Sequence, residues 1–185
     1  SEMCIRDRFK IIEFSHVYFK YGPNEPYILE DINLTIERGK SYAFVGINGA
    51  GKTTIVKLLL NLYRPTSGRI TIDGVDINKF AVEEYWKNIG AVFQEFIQYP
   101  FDVNHNIGFG CVEKGFESEC IKDAAKKSGA YEFVSKLKNG FETNLKKGWE
   151  ESTQLSLGQW QKIAISRVFM EDFPILVLDE PTASV

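Results

Sequence analysis

Residues 46–53 read Gly-Ile-Asn-Gly-Ala-Gly-Lys-Thr, which places three glycines, a lysine and a hydroxyl within the length of one loop. Glycine lets backbone N–H groups converge on a ligand without side-chain interference, and it adopts left-handed turns at no steric cost. Gly46, Gly49 and Gly51 supply that freedom. Lys52 adds a mobile positive charge suited to β- and γ-phosphates, and the Thr53 hydroxyl is a hard oxygen donor of the kind Mg²⁺ takes. The string therefore fits a nucleoside triphosphate, with Ile47, Asn48, Ala50 and Thr54 belonging to the same binding segment. A second chemical pattern lies far downstream. Ile175 to Leu178 are four apolar residues followed by Asp179 and Glu180. Carboxylates at the end of a buried strand can hold Mg²⁺ through Asp179 and polarise an attacking water through Glu180 as general base. Such a pair is common alone; it gains weight after a phosphate loop and before Pro181-Thr182-Ala183.

These groups need elements to hold them. Ser41 to Val45 is a short, mostly apolar run that predicts a buried strand leading into the loop, and Ile55, Leu58, Leu59 and Leu62 recur at helical spacing just after it. The helix N-terminus would then point unpaired amides and partial positive charge at the phosphates. From Ile11 to Ile77 the pattern is mainly two-residue alternation, as in Ile32, Leu34 and Ile36, with Asp73-Gly74 as a tight-turn signal. Ile89 to Phe93 is a further strand candidate, ending at Gln94. Between about Glu117 and Leu137 the period becomes helical, with Gly129 and Gly140 as stops. Ser156 opens another helix, carrying Trp160, Ile163, Ala164 and Val168, with Gln159 placed for a capping box.

Composition bounds the function. The chain has 185 residues, 44% hydrophobic and 14% aromatic, enough for one globular core or two joined lobes. Its 22 Lys plus Arg against 25 Asp plus Glu give a net charge of -3, without a basic stripe, so nucleic acid is not an expected partner. No apolar run approaches the ~20 residues of a membrane span, and no signal-peptide pattern opens the chain. Cys4, Cys111 and Cys120 show neither metal-ligand spacing nor disulfide density, which fits a reducing compartment. His16, in an alternating pattern, and His105, in a polar turn, read as surface residues. Trp86, Trp149 and Trp160 read as packing residues, and Lys126, Lys127, Lys146 and Lys147 as solvated basic pairs. Residues 1–8 look like the translation of a transposon end, an expected processing scar outside the fold.

Leu155-Ser156-Leu157-Gly158-Gln159, about twenty residues before the acidic pair, resembles the signature motif of ATP-binding cassette (ABC) proteins. Gln94 matches that family's Q-loop, and Tyr21, in Phe19-Lys20-Tyr21-Gly22, stands where the family places an aromatic that stacks on adenine. The resemblance covers residues 11–185. It implies a P-loop NTPase (RecA-like) α/β core with an antiparallel β subdomain and an inserted helical subdomain at about 100–160, within a domain of residues 9–185 that stops in the D-loop. It implies ATP and Mg²⁺ as ligands. Lys52, Gln94 and Glu180 would be catalytic; Thr53, Gln94 and Asp179 would hold the metal. Ser156, Gly158 and Gln159 would meet the ATP held by a second cassette in a head-to-tail dimer.

The sequence looks most like exporter cassettes at the cytoplasmic face of the membrane, which hydrolyse ATP to power transport through a transmembrane domain fused upstream. Residues 96–101 would then receive the membrane domain, or Phe96, Tyr99 and Phe101 are simply core aromatics. Two departures stand out. Leu157 replaces a glycine of the signature, either weakening the site or keeping only its needed amide. A later strand and switch histidine are expected beyond Val185, and their loss would leave sheet edge and apolar surface uncovered. Rival readings are a nucleotide-binding module without turnover and a soluble, non-transport cassette ATPase.

Overall fold

The computed structural model describes residues 9–47, 49–116, 118–145 and 152–179. The chain divides between Ile89 and Gly90 into two compact units.

The first unit is built on an antiparallel sheet of order β2-β1-β3-β4, with β1 Ile11–Phe19, β2 Leu29–Glu37, β3 Ser67–Ile72 and β4 Val75–Asp76. Alternation dictates the buried face: Ile12 pairs with Ile36 and Ile72, and Phe14 with Leu34 and Ile70. The inward residues then shift register to Val17 and Phe19, because a bulge at Ser15 and His16 inserts a residue into β1. His16 takes a φ of 49°, and Gly68 opposite has no room for a Cβ, which would stand 2.1 Å from the His16 carbonyl oxygen. The expected tight turn is present. Ile72 pairs with Val75 across Asp73 and Gly74, both at positive φ, as a two-residue hairpin of this hand requires. The Asp73 carboxylate also accepts from the N–H groups of Lys10 and Ile11, at 3.0 and 2.9 Å, and so fixes the entry to β1.

Helix α1, Lys52–Leu59, follows the phosphate-loop string and buries Thr54, Val56, Leu58 and Leu59. The expected face is thus rotated by one residue, with Val56 inside in place of Ile55, and Leu62 lies beyond the helix and exposed. Short helix α2, Val82–Trp86, is tied to the end of α1: the Tyr85 hydroxyl donates to Leu59 O, and Trp86 Nε1 donates to Leu60 O at 2.8 Å.

One expectation fails here. Ser41 to Val45 is not a strand and is exposed throughout, with Val45 94% and Ile47 84% accessible. A strand is stable only when its backbone is paired. Among the described residues no backbone hydrogen bond joins 41–46 to another strand.

The second unit contains all but the first residue of β5 Ile89–Val92, with α3 Val103–Gly108, α4 Ser118–Ser128, α5 Tyr131–Val134, α6 Leu157–Val168 and β6 Ile175–Leu178. Strands β5 and β6 pair, and Asp179 N–H donates to Val92 O at 2.9 Å, so both strands end side by side and run parallel. Gly90 permits α6 to approach: a Cβ there would stand 2.3 Å from Val168 Cγ1. The main core gathers Val103, Ile107, Ile121, Ala124, Ala125, Val134, Trp160 and Ile163 from the four helices. Gly129, at φ 74°, ends α4 as its position in the sequence predicts. His105 sits in the first turn of α3 rather than in a polar turn, since Asp102 caps that helix by accepting from His105 N–H at 2.8 Å. No helix among the described residues is long and apolar enough to cross a membrane.

Candidate functional site

In the first unit, the loop before α1 depends on glycine for its backbone conformation. Gly49 and Gly51 stand at φ 85° and 84°, conformations that cost other residues roughly 1–2 kcal/mol. Gly51 is doubly constrained, because a Cβ would lie 2.6 Å from Leu29 Cδ2. Lys52, the first residue of α1, folds its ammonium back over the loop and donates to Gly46 O at 2.7 Å and Ile47 O at 3.1 Å. A positive charge is thereby stationed at the helix end where unpaired amides already favour an anion. Thr53 is exposed in the same turn and Thr54 is buried. Tyr21 stands beside the first turn of α1. Its hydroxyl lies 3.3 Å from Thr54 Oγ1, Phe19 and Tyr63 pack edge-on to its ring, and the Lys57 ammonium lies 5.8 Å from its centroid.

In the second unit, Gln94 is exposed two residues after β5, and the buried carboxylate of Asp179 follows β6 directly. The bond from Asp179 N–H to Val92 O places both residues at the same end of the strand pair. The capping box is complete. Ser156 Oγ accepts from Gln159 N–H at 3.3 Å, and Gln159 Oε1 accepts from Ser156 N–H at 2.9 Å. That leaves the Ser156 hydroxyl proton and the amides of Leu157 and Gly158 at a helix N-terminus, a set of donors suited to an anion. Leu157 projects outward, 58% exposed. Asn48 and Glu180 lie outside the described residues, as do Trp149, Lys146 and Lys147.

Of the aromatic group after Gln94, Phe96 is partly buried and packs against the core; Phe101 is exposed. Tyr99 carries the Arg167 guanidinium 4.7 Å from its ring centroid. Arg167 and its partner Asn106 were not foreseen. The signal was available: Arg167 stands four residues after Ile163 and seven after Trp160, on a helix face the apolar spacing assigns to the core. Burial pushes the Arg167 guanidinium below its ordinary value. His16 is exposed, with Nδ1 2.7 Å from the Asp31 carboxylate, whose pKa this bond lowers.

A glycine-rich loop leading into a helix and, in the other unit, a carboxylate directly after a strand are each marks of the α/β P-loop ATPase class. The ABC transporter family model matches residues 29–183, and the chain belongs to that family. A multidrug export ATP-binding/permease protein of Staphylococcus aureus (strain NCTC 8325 / PS 47) is 40% identical over 174 residues, 94% of this chain and 29% of that protein. A counterpart from the bovine strain RF122 / ET3-1 is 39% identical over the same length. Among solved structures, a bacterial Atm1-family ABC exporter with ATP bound superposes with a TM-score of 0.83 at 32% identity, over 96% of this chain and 30% of that one. The chain thus spans about three tenths of the relatives it matches, and it corresponds to their nucleotide-binding portion.

Proposed function

We propose that the chain is the ATP-hydrolysing cassette of an exporter, working at the cytoplasmic face of a membrane with a transmembrane domain of the same protein and a second cassette. The observation that carries this is the phosphate loop. Gly49 and Gly51 take left-handed backbone conformations, and Lys52 is held over Gly46 and Ile47 at the start of α1.

In this reading Lys52 leaves the loop carbonyls for the β- and γ-phosphates while Tyr21 stacks on adenine and the loop amides, Asn48 included, enclose the phosphates. Thr53 and Asp179 offer hydroxyl and carboxylate oxygens, the hard donors Mg²⁺ prefers, so the residues fit that ion. Bound there, Mg²⁺ would offset phosphate charge. Glu180 takes a proton from the attacking water, and Gln94 orients that water. Ser156 and the Gly158 amide close the site on the ATP of the opposite cassette, with Gln159 holding Ser156 in place. Residues 9–185 form one domain, with a helical part at about 100–160 and the D-loop beginning near Pro181. The exposed segment around Ile97 and Phe101 faces the membrane domain.

The test is Glu180→Gln in the full-length protein. It should keep ATP binding and accumulate an ATP-bound dimer; an unchanged hydrolysis rate would sink the assignment. A second reading applies to the 185-residue chain by itself, as a binding module without efficient turnover. It is favoured by residues 41–46, which lead into the phosphate loop exposed and, among the described residues, joined to no strand. Phosphate release by this chain beside the full-length protein separates the two readings.

A further inference from the structure

Arg167 sits in the last turn of α6, eleven residues and about 16 Å of helix from Ser156. Its guanidinium is spent entirely on the segment that follows Gln94. Nε donates to Asn106 O at 2.8 Å, Nη2 to Asn106 Oδ1 at 2.9 Å, and Nη1 to Ile97 O at 2.8 Å, while the plane rests on Tyr99. Among the described residues no carboxylate pairs with it. Asn106 is fully buried and gathers the same segment from the other side, its Nδ2 donating to Tyr99 O, Phe101 O and Asp102 O at 3.0, 3.2 and 3.0 Å. Two further contacts join α6 to this region. The Arg167 carbonyl lies against Gly110, where a Cβ would stand 2.0 Å away, and Lys114 Nζ donates to Met170 O at 2.7 Å.

A buried guanidinium is costly, and apolar packing could hold two elements together without it. What the planar fork adds is direction, because three donors aimed at fixed oxygens tolerate little sliding or rotation. We propose that Arg167 and Asn106 are positioning residues that lock the segment after Gln94 onto α6, so that the loop bearing Gln94 and the helix end bearing Ser156 move as one body. Displacement imposed on residues 97–106 would then reach the signature end directly. Nucleotide binding at the first unit's phosphate loop requires no part of this clamp, so the clamp acts on turnover. The proposal rests on the ATPase function above.

The experiment is steady-state ATP hydrolysis by the full-length protein carrying Arg167→Lys or Asn106→Asp, with thermal melting in parallel. Lysine keeps the charge and loses the fork. The expected result is a kcat lowered about tenfold with the KM for ATP within about twofold of wild type. Unchanged kcat in Arg167→Lys overturns the proposal, since charge alone would then suffice. A kcat and KM that move together with a lowered melting point overturn it too, reducing the clamp to a stability element. If Arg167→Lys does not fold, Tyr99→Leu serves instead, stripping the ring under the guanidinium while keeping its hydrogen bonds. About a threefold loss of kcat at constant KM supports the clamp, and no change refutes it. A wild-type protein without ATPase activity would instead refute the functional reading.

Discussion

Ser156 has two tasks that a single substitution can separate. Its Oγ accepts from Gln159 N–H at 3.3 Å as the cap of α6, and its hydroxyl proton is the proposed donor to the γ-phosphate of the opposite cassette. Ser156→Ala removes both. Loss of a cap of this kind costs about 1 kcal/mol, which lowers the melting point by roughly 2–4 °C in a chain of this size. Ser156→Asp keeps the cap, since aspartate ranks with serine at this position, and a carboxylate at a helix N-terminus gains about 0.3–1 kcal/mol from the helix dipole. The aspartate variant should therefore melt at or slightly above the wild-type temperature. Its turnover should collapse. A carboxylate about 4 Å from a phosphate charge, at an effective dielectric of 20, is repelled by about 4 kcal/mol, or roughly a thousandfold in rate. The assays are thermal melting of the 185-residue chain and phosphate release by the full-length protein. A Ser156→Asp variant that hydrolyses ATP within tenfold of wild type would show that no phosphate approaches this helix end, and the signature assignment would fall.

Gly51→Ala should abolish nucleotide binding, measured with a fluorescent ATP analogue, because the new methyl meets Leu29 Cδ2 at 2.6 Å in a left-handed backbone. Tyr85 is buried and its pKa is raised by desolvation from 10.0, so its neutral form stabilises the fold fully below pH 10, a contribution lost as pH rises through its higher folded value. Tyr85→Phe should cost about 1–3 kcal/mol at pH 7 by orphaning the Leu59 carbonyl, and its denaturation curves should depend less on pH above 10 than those of wild type. Amides of residues 41–46 should exchange with solvent at nearly unprotected rates in the 185-residue chain and be protected in the full-length protein; protection in both would refute the unpaired reading of this segment.

What was legible in the sequence is what local chemistry decides. The Asp73-Gly74 hairpin, the Ser156–Gln159 box, strand β6 and the Gly129 stop each follow from one or two residues whose preferences admit few alternatives. The strand at Ser41 to Val45 was read from its apolar character, but pairing is not a local property, and the segment finds no partner among the described residues. In β6 the alternate residues Leu176 and Leu178 are 46% and 45% exposed. Phe96 could be read as a surface or as a core aromatic from its place near a polar loop, and it is partly buried against both core clusters of the second unit. Within the candidate site, Lys52, Tyr21 and Ser156 were legible from motifs. Arg167 was not, because a motif marks ligand contacts and says nothing of the residues that hold one element against another.

The bulge in β1 ties two distant positions into one evolutionary unit. Phe14 and Val17 both face inward although they stand three positions apart, and the displaced His16 carbonyl occupies the space a side chain at position 68 would need. Deleting one residue between Phe14 and Val17 would restore simple alternation with the same apolar residues inside, and only then would Gly68 be free to change. Neither step is neutral in the other order: a side chain at position 68 must first disrupt the strand pair. Descendants of this sequence can therefore drift at most surface positions of the sheet one at a time, but here a length change has to precede a substitution more than fifty residues away.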